Sequence, residues 1–155
     1  MARLSDLPTW ESEQHLERIR LLPDFGPAPF VAGPPLASRR VAIVTTAGLQ
    51  LRTDATFQAG AADYRVIPAD TPPGDVVMSH TSVNYDRTGF QEDLNVVFPL
   101  DRLREQQAQG RIGSVADFHY SFMGAASVKA LEPKARELAG LLKKDRVDAV
   151  LLSPV

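Results

Sequence analysis

Residues 41–46 read Val-Ala-Ile-Val-Thr-Thr, and residues 147–152 read Val-Asp-Ala-Val-Leu-Leu. Both are short and almost continuously apolar, and the first is closed by Ala47 and Gly48. Runs of this length and composition are typical of strands that are buried on both faces, as in parallel sheets. We therefore predict that both runs are strands at or near the centre of one mainly parallel sheet.

Further strand and helix patterns alternate between these two runs. The alternation indicates an α/β domain, with a mainly parallel open sheet and flanking helices. Because proline is tolerated only in the first turn of a helix, Pro133 places the expected start of the last helix near Glu132. The elements predicted on this basis are strands at 64–67 and 75–79, and helices at 99–109 and 127–144. The segment at 115–122 is ambiguous, although its alternation is compatible with a strand.

The amino-terminal part of the chain has a different composition. Residues 1–22 show a rough helical stripe and predict a helical arm, for which Thr9 is the candidate cap. Residues 23–38 contain five prolines and two glycines, which exclude a regular element and indicate an extended strap. We therefore divide the chain into an arm and strap at 1–38 and an α/β domain at 39–155.

Composition excludes several classes of function. The 155 residues carry 17 Lys and Arg against 19 Asp and Glu, so no basic surplus favours nucleic acid or an anionic membrane surface. No apolar run is long enough to span a bilayer, and the polar start of the chain has no signal core, so we expect a cytoplasmic location. The absence of cysteine excludes disulfides, cysteine-ligated metal and a cysteine nucleophile within these residues.

Candidate site residues follow the predicted strands. Ligands of open parallel sheets bind beyond the carboxyl ends of the strands, where Thr45 and Thr46, His80 and Ser153 are expected. We predict that His80 and Ser153 lie at the same edge of the sheet, with Thr46 nearby, and line one cavity. The threonines and Ser153 are candidate substrate-binding residues.

Two histidines are candidates for proton transfer, because imidazole titrates near neutral pH. His80 follows a predicted strand, and His119 lies in the ambiguous segment at 115–122. The alternative for each is a structural histidine that is hydrogen-bonded at the polar rim of the core. A metal site built from these histidines with Asp86 or Asp117 has no ligand-spacing motif, so we predict no metal.

Arg87 lies in a polar stretch between two apolar runs. Its guanidinium group is suited to hold a substrate carboxylate through two parallel hydrogen bonds. Asp86 and Asp93 are alternative partners that would neutralise Arg87 within the protein. Arg87 is therefore a further candidate substrate-binding residue.

Several long segments in order resemble one protein family, the selenoprotein B component of glycine/sarcosine/betaine reductase with the related selenoprotein subunit of D-proline reductase. The resemblance is strong over about residues 39–155 and loose over the arm. The segments that carry it are 41–48, 63–68, 78–84, 86–90, 95–103, 113–124 and 148–155.

The resemblance implies an oxidoreductase subunit that cleaves a C–N bond of a small amino acid or amine reductively. It implies a pyruvoyl-containing partner subunit and an oligomeric assembly, with no cofactor in this chain. In the family, a selenocysteine or cysteine directly follows the equivalent of 151–155, and more chain follows it. We therefore expect the domain to be incomplete after Val155 and this chain to be inactive in reductive cleavage, whatever partner is added.

Two alternatives belong to other classes. A non-catalytic α/β binding or scaffold subunit would agree with the absence of cysteine. A relative of the aspartate/glutamate racemase folds is disfavoured, because the cysteine pair of those enzymes is lacking. The DNA after codon 155 discriminates the reductase from the scaffold, since only the reductase predicts an in-frame UGA or cysteine codon followed by open reading frame.

Overall fold

The structure is a computed structural model that describes residues 3–24, 26–27, 31–82 and 85–155. Within these ranges the chain forms two compact units, of which the first ends at Val31 and the second begins at Ala32. Val83 and Asn84, which belong to one of the segments of family resemblance, lie outside the described residues.

The first unit contains the predicted amino-terminal helix. Helix α1 runs over Thr9–Arg20 and follows a short 3-10 turn at Leu4–Asp6. Thr9 is the first helical residue rather than the cap, because Pro8 occupies the N-cap position and contributes no side-chain hydrogen bond. Proline is well suited to a helix start, where its missing N–H costs no intrahelical bond.

The second unit contains seven strands and three helices among the described residues, besides short 3-10 turns. In chain order they are β1 (Arg40–Thr45), β2 (Leu49–Leu51), β3 (Tyr64–Pro68), β4 (Val76–Met78), α2 (Thr88–Glu92), α3 (Leu100–Ala108), β5 (Ser114–Val115), β6 (Phe118–Phe122), α4 (Val128–Lys144) and β7 (Ala149–Ser153).

Strand β1 lies at the centre of the main sheet, as predicted. Strands β5 and β6 pair with it in succession along one side, and β7 pairs with it along the other, all in parallel. Strand β3 is antiparallel to β6 and forms the far edge. The sheet is therefore mostly parallel but mixed.

The strand predicted at 75–79 does not join this sheet. Its observed part, β4, pairs antiparallel with β2 to form a separate two-stranded sheet. β2 was not predicted, since three residues are too few to establish a period of two.

Hydrophobic cores cover both faces of the main sheet. On one face, Ile43 packs in a cluster with Phe98 and Leu103, the latter from α3. On the other face, Tyr120 and Phe122 of β6 pack against Leu138 of α4. The α/β architecture therefore has helices on both faces, which explains why β1 reads as a continuous apolar run.

Strand β7 differs from the prediction. Val150, Leu151 and Leu152 are exposed, and β7 pairs with β1 alone within the described residues. The expectation that residues 147–152 form a strand buried on both faces is therefore wrong for this structure, because the strand lies at an edge.

Helix α4 begins at Val128, four residues earlier than expected from Pro133. The hydroxyl oxygen of Ser127 accepts a hydrogen bond from the Ala130 N–H and caps the helix. Pro133 removes the N–H that would bond the carbonyl of Lys129, and Lys129 is exposed, so water can satisfy that oxygen. None of the helices in the described ranges has the length and apolar character needed to cross a membrane.

Candidate functional site

The loop after β1 joins the end of β7 at the carboxyl edge of the parallel strands. The Thr46 N–H and the Thr45 hydroxyl both donate to the carbonyl of Ser153, at 3.1 Å each. The Val155 N–H donates to the hydroxyl oxygen of Thr46 at 2.8 Å. Thr45 and Thr46 therefore hold the last residues of the chain at this edge through their hydroxyl groups.

His80 lies beside the same loop. A Cβ atom at Gly48 would lie 3.0 Å from the His80 Cα and backbone nitrogen, and Gly48 has a φ of 66°. Glycine is needed here for two reasons, because a side chain would be strained at this φ and would also collide with His80. The structure thus places His80 and Ser153 beside one loop, while their shared cavity stays a prediction.

The hydrogen bonds of His80 define its protonation. Its Nδ1 accepts from the Ser82 N–H at 3.1 Å, so the proton of the neutral ring lies on Nε2. Burial lowers the pKa of His80, and the positive charge of Arg87 lowers it further. His80 Nε2 is buried without a hydrogen-bond partner among the described residues. His80 is therefore a neutral donor at pH 7, and protonation at Nδ1 would break its bond from Ser82.

The guanidinium group of Arg87 forms hydrogen bonds within its own loop. Its Nη2 donates to the carbonyls of His80 and Ser82, at 2.6 and 3.0 Å. Asp86 does not neutralise it but accepts from the Thr88 N–H, and Asp93 caps the following 3-10 turn through the Asn95 N–H. The two parallel hydrogen bonds expected for a substrate carboxylate are therefore not available from Nη2, which clamps the His80 loop instead.

His119 lies inside the core rather than at the carboxyl edge. It is fully buried, its ring meets that of Phe98 edge-on, and its Nδ1 accepts from the Ile43 N–H at 3.0 Å. Burial lowers the pKa of His119 to about 4, with a further contribution from the charge of Arg104. His119 is therefore neutral at pH 7, and the structure does not bring it together with His80.

The break between β5 and β6 explains this position. Val41 pairs with Val115, and Val44 pairs with Tyr120. The segment between the two partners is therefore two residues longer than the segment of β1 between Val41 and Val44. The extra residues remove the backbone acceptor that would face the Ile43 N–H. The imidazole of His119 replaces that acceptor, which is a structural role.

Two serine hydroxyls also fix this edge, and of these Ser121 was not predicted from the sequence. The Ser121 hydroxyl, fully buried, accepts from the Leu49 N–H at 2.8 Å. The Ser79 hydroxyl donates to the Gln50 side chain at 2.6 Å and accepts from the Phe57 N–H. The available signal was a small polar residue within an aromatic strand at 118–122, which favours a buried hydrogen bond over a surface position.

The candidate metal ligands do not form a cluster. The described part of the chain contains no group of three or more His, Asp or Glu side chains that could hold a metal ion. Asp117 instead forms an ion pair with Arg40 at 3.0 Å, at the opposite end of β1.

A family model for glycine/sarcosine/betaine reductase selenoprotein B matches residues 27–155. The chain belongs to this selenoprotein B family. The resemblance found in the sequence is confirmed, and the family consists of component subunits of amino-acid reductases.

Relatives with related names support the assignment. The chain is similar to D-proline reductase subunit gamma of Acetoanaerobium sticklandii, with 37% identity over 121 residues that cover 76% of this chain and 49% of the relative. It is 29% identical over 124 residues to betaine reductase complex component B subunit beta of Peptoclostridium acidaminophilum, covering 76% of this chain and 28% of that subunit. Over 70 residues it is 41% identical to glycine reductase complex component B subunit gamma of Symbiobacterium thermophilum, covering 44% of this chain and 16% of that subunit.

The matched region thus spans about half of the D-proline reductase subunit and under a third of the other two. No solved structure matches the chain.

Proposed function

We propose that this chain is part of an amino-acid reductase subunit that cleaves the C–N bond of a small amino acid or amine reductively. Family membership over residues 27–155 supports the reaction class. The names of the relatives, which refer to D-proline, betaine and glycine reductases, support small amino acids and their N-methylated derivatives as substrates.

At the site, the hydrogen bond between Val155 and Thr46 is the main support for the proposal. The Val155 N–H is held by the Thr46 hydroxyl at 2.8 Å, at the carboxyl edge where parallel sheets place their ligands. A reactive residue that directly follows Val155, as the resemblance implies, would therefore start from this edge and beside the loop that contacts His80.

The nucleophile would be the side chain of the residue that follows Val155. A selenolate or thiolate there, with a carbonyl from a pyruvoyl-containing partner subunit to activate the amine, would supply the covalent chemistry. In the overall reaction the C–N bond breaks, the carbon and the nitrogen each gain a proton, and a dithiol-class reductant supplies the two electrons and becomes a disulfide. This chain supplies the residues that shape the edge.

The geometry favours His80 over His119 for the proton-transfer role. His80 lies beside Gly48 of the edge loop, whereas His119 is enclosed in the core and accepts from the Ile43 N–H. Thr45, Thr46 and Ser153 position the strand end, and Arg87 holds the His80 loop in place. An oligomeric assembly with partner subunits and a cytoplasmic location stay predictions.

A non-catalytic binding or scaffold subunit is the second candidate. The observation that favours it is the absence of cysteine from the 155 residues, which leaves this chain without a thiol nucleophile. Under this alternative, the gene has an unambiguous stop after codon 155 and no downstream frame.

The gene and an activity assay discriminate the two candidates. An in-frame UGA or cysteine codon after codon 155, followed by open reading frame, supports the reductase. We then expect amine release with a dithiol reductant and the pyruvoyl-containing partner from a version extended with cysteine at position 156. The 155-residue chain and a matched extension with serine at that position should both be inactive. Equal turnover by the 155-residue chain would refute the role given to the following residue.

A further inference from the structure

Strand β7 lies at an edge of the main sheet but has the amino-acid composition of an inner strand. Val150, Leu151 and Leu152 are 40%, 38% and 69% exposed, and the strand Ala149–Ser153 contains no charged residue or proline. The register with β1 places Leu151 beside Ile43 and Leu152 beside Val44, so aliphatic side chains are exposed on both faces of the sheet.

The opposite edge of the same sheet shows the contrast. Strand β3 is also paired on one side in this sheet, but it carries Arg65, which is ion-paired with Asp63, and ends in Pro68. Charges and prolines are the features by which natural edge strands avoid further pairing. The β3 edge is thus protected against pairing, whereas the β7 edge is not.

We propose that a further parallel strand, supplied by the carboxyl-terminal part of the full-length subunit, pairs with the free edge of β7. This inference rests on the proposed function, because it places the occupant in the chain that would follow Val155. D-proline reductase subunit gamma is longer than the matched region, which covers 49% of it, and the resemblance implies that further chain follows the equivalent of Val155.

The parallel direction follows from composition, since aliphatic side chains on both faces are typical of inner strands of parallel sheets. A parallel strand next to β7 requires a crossover of a dozen or more residues, usually a helix, which would cover Val150 and Leu152 on one face. The Val155 N–H is bonded to Thr46, so the chain leaves β7 at its carboxyl end, where such a crossover starts. β7 would then become an inner strand, as its sequence indicates.

Hydrogen exchange tests the pairing directly. The 155-residue chain is compared with the chain extended through position 156 as cysteine to its natural end. Amides of 149–153 that point away from β1 should exchange at least about tenfold more slowly in the extended chain. Equal exchange of these amides in a folded extended chain would overturn the inference while leaving the proposed function intact. Absence of a downstream frame would instead refute the proposed function, and with it the occupant.

A substitution pair gives a second readout. Leu152→Lys adds a charge to the free edge and should leave the melting temperature of the 155-residue chain almost unchanged, but lower that of the extended chain by about 5 °C. Val66→Lys is the matched control on the β3 edge, where Val66 is 38% exposed, and it should act equally on both lengths. Protection of β7 that depends on protein concentration, with a dimer in sedimentation velocity, would overturn the inference in favour of a second copy.

Discussion

At the scale of single residues, His119 couples folding to pH. Its folded pKa of about 4 lies below the value of 6.5 of the free side chain. The unfolded chain therefore binds the proton first as the pH falls, so stability from this residue is complete above pH 6.5 and is lost between 6.5 and 4. The loss is on the order of 3 kcal/mol. Burial also lowers the pKa of His80, so this residue too makes the folded chain less stable as the pH falls.

Two variants isolate this effect in urea unfolding. His119→Gln keeps an acceptor for the Ile43 N–H and should flatten the dependence of stability on pH between 6.5 and 4. His119→Phe leaves that N–H without an acceptor. At pH 7 it should therefore destabilise the chain by about 1–3 kcal/mol more than His119→Gln does. An unchanged pH slope in both variants would contradict the burial of a neutral imidazole.

Gly48 is a residue whose backbone and contacts both restrict substitution. Gly48→Ala should destabilise the chain by about 2 kcal/mol or more, since the new Cβ meets the His80 backbone at 3.0 Å. Gly60 has a similar φ of 74° but open space around it, so Gly60→Ala should cost only about 1 kcal/mol. Equal costs in urea unfolding would show that the approach to His80 is looser than described.

At the scale of elements, the start of β1 is tied to the end of α4. The Arg40 guanidinium donates to the Asp145 carboxylate at 2.6 Å, and the other carboxylate oxygen accepts from the Asp117 N–H. Asp145→Asn should therefore cost about 2 kcal/mol. Breaking the exposed pair within α4 by Glu132→Gln should change stability by less than about 0.5 kcal/mol. A similar cost for both, measured by thermal unfolding, would deny the bridging role of Asp145.

The sequence predicts some elements better than others for physical reasons. The run at 41–46 identifies β1 because burial on both faces leaves a continuous apolar pattern. The direction of β3 was not predictable, since a short strand reads alike whether its partner is parallel or antiparallel. The exposed position of β7 was missed because an apolar composition does not report how many strands pair with the run.

The positions of the candidate site residues could likewise be predicted only in part. The rule for carboxyl edges was enough to bring Thr46 and Ser153 to one loop, whereas His80 reaches that loop from β4 of the separate antiparallel sheet. The placement of His119 depends on the two-residue offset between β5 and β6, which no local pattern encodes. The clamp by Arg87 depends on carbonyl groups, whose direction is fixed only once the loop has folded.

At the scale of the whole molecule, the chain is expected to gain stability when extended. The exposed side chains of Val150, Leu151 and Leu152 would lose contact with water, which contributes about 25 cal/mol for each Å² of apolar surface buried. The extended chain should therefore melt at a higher temperature and bind less of a hydrophobic dye than the 155-residue chain. Equal melting temperatures and dye fluorescence would indicate that these side chains stay in water.

The pairing of β1 with three later strands also governs how fast the chain can fold. Val41 pairs with Val115 and Ala149, so the central strand finds its neighbours only across long stretches of intervening chain. Closing such distant contacts is slow, and β1 meets the last of its described partners only after residues 149–153 have left the ribosome. During synthesis β1 is thus an unpaired aliphatic segment, and the nascent chain is most open to chaperone binding before residues 114–122 emerge.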